Sequence, residues 1–254
     1  MLESNKIVLD TYFLVDLEGI EKMHRTGSSE SKLLIQVINL VRRPDRLTQI
    51  SAELERAGLN FEIQVAVDGK LEDSQSEFLS GGQIGCWKSH LNSMRKLVET
   101  DTPFSLIIED DAILSSVVSE RYLLEMLDLM ERNQLDILQI GFIEHLYSIS
   151  IRPGILEFLI ALLKGRGTKD SSGHRFVLGD FRWGTHAYII NQRFAEAISD
   201  VISEPPLIPF DAWLGLMAQS QTDRKMRIGR LAKSVVSQAS HSSKESIIDS
   251  DVAN

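Results

Sequence analysis

Hydrophobic positions along this chain fall into two alternating kinds of run. Five short segments rich in Val, Ile and Phe, namely Ile35–Leu40, Phe61–Val67, Phe104–Ile108, Leu135–Ile140 and His186–Ile190, have the length and composition of buried strands. Between them lie longer stretches in which apolar residues recur every three or four positions, the spacing that lines one face of a helix. Pro44–Ala57 carries Leu47, Ile50 and Leu54 in that register, with Pro44 suited to a first helical turn and Gly58 to a stop. Gln83–Val98 repeats the pattern through Ile84, Trp87, Leu91, Met94 and Val98, and Glu120–Arg132 and Gln192–Ile202 follow it less regularly. Strands that alternate with helices in this way predict an α/β sheet. Pro153–Asp180 reads as a long insertion, mobile over Lys164–Gly173 and of a length that often serves as a lid or binding loop.

Residues 1–31 precede the alternation, and Ser28-Ser29-Glu30-Ser31 reads as a joint. The expected organisation is therefore an N-terminal extension (1–31), one catalytic-sized domain (32–240) and a polar tail (241–254). A chain of 254 residues, 43% apolar and 25% charged, has the composition of an ordinary globular protein with a sizeable core. The net charge of −9 argues against nucleic acid as a partner, because that affinity comes from clustered Lys and Arg. A single cysteine, Cys86, excludes an internal disulfide framework and points to a reducing, cytoplasmic setting, and it reads as a small core residue. The longest compact apolar run, Ile155–Leu163, contains Glu157 and falls well short of the ~20 residues that span a bilayer. No transmembrane helix is expected.

The segment richest in chemistry is Phe104-Ser-Leu-Ile-Ile-Glu-Asp-Asp-Ala112, a buried-type strand running into three consecutive acids. Strand side chains alternate faces, so Glu109 and Asp111 are expected on one side, two rises of ~3.3 Å apart. Such a pair suits a hard divalent cation, Mn²⁺ or Mg²⁺, that bridges diphosphate oxygens, and open α/β sheets bind ligands at the carboxyl ends of their strands. The competing reading is that the acids cap the strand and its turn.

Four segments occur together in order: Val37-Ile-Asn-Leu-Val-Arg-Arg-Pro-Asp-Arg46, Gly85-Cys-Trp-Lys-Ser-His90, Leu106-Ile-Ile-Glu-Asp-Asp-Ala112 and Gly184-Thr-His-Ala-Tyr-Ile-Ile190. In these the chain resembles glycosyltransferase family 25, the lipooligosaccharide-type galactosyltransferases of bacteria and their collagen-modifying relatives, over roughly residues 34–240. The resemblance implies a single GT-A-like domain with a Rossmann-like mixed sheet flanked by helices, a metal-assisted acidic motif, and an inverting transfer, commonly from UDP-galactose. It also implies a glycan or lipid-linked saccharide acceptor in lipopolysaccharide synthesis. At Val41 the chain departs from the pattern, which commonly has an acid there.

The residues carry chemical readings of their own. Asn39, Arg43 and Arg46 follow the first strand and open the first helix, where N–H groups and guanidinium forks favour a diphosphate, although solvated helix-face charges would look the same. Asp68, before Gly69, reads as a base or ribose acceptor or as an ordinary turn. His90 is placed near the sheet's carboxyl edge, as a ligand contact or a packed histidine. Gly184 offers a close backbone approach to a sugar, with Thr185 or His186 as hydrogen-bonding partners, or else is a strand-entry turn. Asp110 joins its neighbours as a substrate contact, with Glu109 and Asp111 as metal ligands. Asp211, in Pro209-Phe-Asp-Ala-Trp213 at a helix start, is the expected base, with helix-dipole compensation as its alternative role. Glu144 and Asp180 are substitutes for it, Arg230 or Lys233 are candidates to neutralise the leaving group, and His241 to complete the metal shell. Leu156, Phe158, Leu159 and Leu162-Leu163 are candidates for peripheral membrane contact, or for a buried helix. Two other functions fit acids at a strand end: a metal-dependent nucleotidyltransferase or hydrolase, and a nucleotide- or glycan-binding module without catalysis.

Overall fold

The computed structural model describes residues 31–71, 78–143, 162, 166–202, 207–220 and 226–239. Residues 32–254 form one compact unit, and it contains every element named below. Its strands are β1 (Leu33–Asn39), β2 (Glu62–Val65), β3 (Phe104–Glu109), β4 (Ala112–Leu114), β5 (Ile137–Gly141), β6 (Gly167–Lys169), β7 (Arg175–Leu178), β8 (Ala187–Asn191), β9 (Ile228–Leu231) and β10 (Val236–Gln238). Its helices are α1 (Pro44–Arg56), α2 (Gly81–Val98), α3 (Glu120–Asn133), α4 (Gln192–Val201) and α5 (Phe210–Gln219).

The strands form one mixed sheet in the order β2-β1-β3-β8-β5-β9-β7-β6, with β10 pairing β4 and β5 beside that path. β1 runs parallel to β2 and to β3, whereas β8 is antiparallel to β3 and to β5. Residues of β3 alternate between two cores: Leu106 and Ile108 pack with Ile50 and Leu54 of α1 and Met126 and Met130 of α3, while Ile107 packs with Trp87 and Met94 of α2, Phe194 of α4 and Leu214 of α5. A strand covered on both faces reads as an unbroken apolar run, and that is why β3 is so plain in the sequence. The α/β architecture expected from the chain is therefore present.

Local signals set the helix ends. Pro44 occupies the first turn of α1, where its missing N–H costs nothing, and Gly58 beyond its end takes a φ of +71°. α2 begins two residues before its expected start because Ser80 and Gln83 form a reciprocal capping box. Ser119 and Asn191 cap α3 and α4 more simply, each side chain accepting one backbone N–H.

The insertion at Pro153–Asp180 departs from expectation. Within its described part, β6 and β7 form a hairpin that extends the sheet through β9. Its turn is pinned rather than loose: Asp170 accepts from the His174 backbone N–H and from Arg132 of α3, and Gly173 takes a φ of +91°. The strands are three and four residues long and the first is Gly-Thr-Lys, too short and polar for periodicity to register. β4, β9 and β10 were missed for the same reason of length. Glu144, Leu156, Phe158, Leu159, Leu163 and His241 lie outside the described residues. Among the described residues, no helix is long and apolar enough to cross a membrane.

Candidate active site

The parallel strands β1, β2 and β3 end side by side, and a cleft opens at their carboxyl edge. Its walls include Arg42 and Arg46 after β1, Ala66–Lys70 after β2, Glu109–Asp111 after β3, and Cys86, Ser89 and His90 of α2. Three glycines make it possible for α2 to start against the loop after β2. A Cβ on Gly69 would meet the Gly81 carbonyl at 1.7 Å, and one on Gly85 would meet the Val67 carbonyl at 2.5 Å. Ser89 fastens the same contact by accepting the Val67 N–H at 2.8 Å.

β3 ends at Glu109, and Asp110 and Asp111 form the turn into β4, so the chain does not stay extended through the acids. All three carboxylates consequently line the cleft, rather than only the two that strand alternation would bring together. Each has a different set of partners. Glu109 accepts from Thr185 Oγ1 and from His90 Nε2 at 3.1 Å. With Nε2–H donating there, His90 Nδ1 accepts the Tyr188 hydroxyl at 2.9 Å, and its ring stacks on Phe210 at 4.7 Å. Burial pushes the Glu109 carboxyl up, but the His90 and Thr185 hydrogen bonds and the neighbouring imidazoles outweigh it and hold the group below its ordinary range.

Asp110 accepts from Asn39 Nδ2 at 2.7 Å and pairs with Arg46 at 3.4 Å. Burial nevertheless raises its pKa against those two partners. Asp111 accepts from Gln238 Nε2 at 3.0 Å and lies 3.7 Å from Arg46. Burial and the Glu109 charge push it up to about 7. Its Oδ1 is buried without a hydrogen-bond partner, an arrangement that costs free energy until something fills it. Three carboxylates line the cleft and one keeps an unsatisfied oxygen, and hard oxygen ligands of this kind fit Mn²⁺ or Mg²⁺, although their oxygens are not all within 4.8 Å of one another. Among the described residues, the trio whose ligand atoms are that close is Cys86, His90 and Glu109. That trio fits a metal less well, because both His90 nitrogens are engaged and burial pushes the Cys86 thiol well above its usual range, away from the thiolate a metal takes.

The remaining expected site residues divide into those at the cleft and those beside it. Asp68 is on its wall, held by Arg42 at 2.7 Å and by the Lys70 N–H. Arg46 is there too, whereas Arg43 pairs with Asp45 at 2.9 Å and does not line the cleft; its neighbour Arg42 does. Asn39 acts from behind the wall, through Asp110. His186 is fully buried and meets the Val236 carbonyl at 3.0 Å, and a Cβ on Gly184 would strike the His186 ring at 2.9 Å, so that glycine faces protein. Asp211 does not line the cleft either; it is partly exposed at the first turn of α5, with Oδ2 accepting the Gly184 N–H at 3.1 Å and Oδ1 accepting the Ala212 N–H at 2.8 Å. Asp180 pairs with Arg182 and with Arg230, which is buried, and Lys233 is exposed; neither Arg230 nor Lys233 lines the cleft. Val41, at the departure from the family pattern, is 77% exposed and also off the cleft wall, so the change there removes no lining side chain.

Sequence reasoning missed Gln238, Arg42, Lys70 and Tyr188. Gln238 reaches Asp111 because β10 pairs antiparallel with β4 in a register that sets Gln238 opposite Ala112, a contact across 127 residues with no local trace. The paired glycines Gly81-Gly82 ahead of Gly85 were a legible signal of close backbone approach that went unused.

A mixed α/β sheet with a polar, acid-lined cleft at the carboxyl ends of its parallel strands is the architecture of a ligand-binding enzyme domain. The chain belongs to glycosyltransferase family 25 (LPS biosynthesis protein), whose model matches residues 33–214. Procollagen galactosyltransferase 1 of Danio rerio is 27% identical over 199 residues, covering 71% of this chain and 30% of that protein. The lacto-N-neotetraose biosynthesis glycosyltransferase LgtB of Neisseria meningitidis serogroup B is 27% identical over 169 residues, covering 62% of this chain and 57% of that one. The chain thus spans less than two thirds of the length of either relative. The crystal structure of S. aureus TarS 1-349 aligns over 83% of this chain and 61% of that one, with 13% identity and a TM-score of 0.44.

Proposed function

We propose that this chain is an inverting glycosyltransferase that moves a hexose, galactose in the first instance, from a UDP-sugar to a saccharide acceptor in surface-glycan synthesis. The observation that carries the proposal is the convergence of Glu109, Asp110 and Asp111 at the cleft, with Asp111 Oδ1 unsatisfied. Family membership, and the names of two relatives, one a galactosyltransferase and one a glycosyltransferase, support the class of reaction. A divalent cation held by Glu109 and Asp111 would supply charge neutralisation for the departing diphosphate.

The chain's own residues account for the rest. Arg46 fixes the turn that presents Asp110 and Asp111, and Arg42 and Lys70 give the opposite wall the positive charge a diphosphate needs. Asp68, oriented by Arg42, is the acceptor for a ribose or base donor group. His90 and Thr185 hold Glu109 ionised in one rotamer, so it meets the donor without reorganisation. Asp211 is the base of this scheme: each oxygen accepts one backbone N–H and keeps a further lone pair. The acceptor hydroxyl oxygen bonds to the anomeric carbon from the face opposite UDP, the bond to the diphosphate oxygen breaks, and the hydroxyl proton passes to Asp211.

Release of UDP from a panel of UDP-hexoses, assayed with Mn²⁺ and with and without saccharide acceptors, tests the reaction class. Turnover of none of them overturns the proposal. Asp211→Asn isolates the base, and should cut kcat about 10²-fold or more while UDP affinity holds. A parallel fall in UDP affinity, or a loss of thermal stability with normal kcat, would reassign Asp211 to positioning Gly184.

A further inference from the structure

The protein has three tryptophans, and they are used differently. Trp87 is 1% exposed and Trp213 is packed against both Trp87 and Phe210, whereas Trp183 is 54% exposed. An isolated exposed aromatic is unremarkable on a loose loop, but this loop is tightly held. Gln139 of β5, fully buried, accepts the Arg182 N–H at 2.8 Å and donates to the Arg182 carbonyl at 3.0 Å and the Gly184 carbonyl at 2.7 Å. The Trp183 carbonyl accepts the Ile143 N–H at 2.9 Å, and the Gly184 N–H is taken by Asp211. Gly184 has a φ of +95°, in the left-handed region that favours glycine. Five hydrogen bonds therefore fix the backbone of three residues while the Trp183 residue between them stays more than half exposed. A buried amide that clamps a loop whose aromatic side chain is more than half exposed adds little to stability by that side chain, and is well suited to presenting a rigid surface.

Position supplies the ligand chemistry. Trp183 is two Cα steps of about 3.8 Å from Thr185, whose hydroxyl bonds Glu109 at the donor cleft, and one step from Gly184, bonded to Asp211. We propose that Trp183 is the stacking platform for a pyranose ring of the acceptor, holding a saccharide beside the base with its hydroxyl turned to the cleft. Sugar rings carry a face of C–H groups that packs on an indole while their hydroxyls remain hydrated, so an exposed, rigid Trp suits a saccharide. This inference rests on the glycosyltransferase reading for its place in the reaction, but the binding it requires is measurable without turnover.

The test is saturation-transfer NMR titration of the methyl β-glycosides of galactose, glucose and N-acetylglucosamine, run with and without UDP and Mn²⁺, on wild type, Trp183→Phe and Trp183→Ala. At least one glycoside should bind wild type, Trp183→Phe should stay within about threefold, and Trp183→Ala should weaken binding roughly five- to tenfold. UDP affinity, titrated in the same samples, should be equal in all three. Binding of no glycoside by wild type, equal binding by Trp183→Ala, or a matching loss of UDP affinity overturns the assignment of Trp183. Failure of wild type to bind UDP instead sinks the transferase reading and leaves the glycoside result to stand on its own.

Discussion

The sheet carries buried acid at two opposite edges, and the two edges are built on opposite terms. Asp136 precedes β5 and is fully buried, yet its carboxylate is surrounded by donors: Arg193 binds Oδ1 through two nitrogens, Asn191 donates to Oδ1 at 2.9 Å, and the Arg227 N–H reaches Oδ2 at 2.6 Å. At the carboxyl edge of the parallel strands, Asp110 and Asp111 share one arginine, and Asp111 keeps an oxygen with no partner. The first is a closed knot joining β5, β8 and the approach to β9. The second is short of positive charge. A buried carboxylate with both oxygens answered is there for the fold, whereas a group of them left under-compensated has its stability traded for a ligand.

Substitutions at the two edges should therefore have opposite signatures. The largest effect expected is on turnover: Asp111→Asn keeps the side chain's volume and removes a ligand charge, and should lower Mn²⁺-dependent UDP release by about 10³-fold or more. Unchanged Mn²⁺-dependent rates would remove Asp111 from the metal site. Asp136→Ala should act on the fold instead, costing about 3–5 kcal/mol in urea unfolding because it leaves the buried donors around it unanswered. A smaller contrast lies within the first helix. Arg46→Ala should weaken UDP binding by about 1.5–3 kcal/mol, while Arg43→Ala, whose guanidinium is engaged with Asp45 off the cleft, should change it by less than about 0.5 kcal/mol in calorimetric titration.

The subtlest effect is in pH. Asp111 ionises near its ordinary 3.8 when unfolded but at about 7 when folded, so ionisation favours the unfolded chain. Its protonated form is bound by the folded state, and its contribution turns increasingly unfavourable as pH rises from about 4 to about 7. Metal-free Asp111→Asn should accordingly be more stable than wild type above pH 7, by about 1 kcal/mol or more, with the difference vanishing below pH 4. Thermal melts across that range check the sign. Mn²⁺ should stabilise wild type more strongly as pH rises through the same window, since proton and cation compete for one carboxylate.

These contrasts mark how far the chain alone could be read. The strands β1, β3, β5 and β8 and the helices α1 to α4 were legible because each buries a face or an unbroken run, and burial writes periodicity into sequence. The acidic turn was equally plain, since three charges at the end of an apolar strand have no place in a core. Among the arginines, sequence could not separate Arg42, Arg43 and Arg46, because Arg43 turns to the adjacent Asp45 while the directions of Arg42 and Arg46 depend on Asp68 and Asp110, which arrive from elsewhere.

What the sequence determined by itself is the α/β class, the helix ends that carry caps, and the identity of the acidic segment, all consequences of local composition and period. Tertiary structure decided which acids converge, through a turn that ends β3 one residue before Asp110, and which partners they receive. Gln238 meets Asp111, His90 meets Glu109, and Gln139 clamps the loop of Trp183 across 19 to 127 residues of chain. Of these only His90 and Glu109 lie within 19 residues of each other. Hydrogen bonds between distant residues impose no spacing on the sequence between them, so a site built from them becomes visible only when the sheet has set its register.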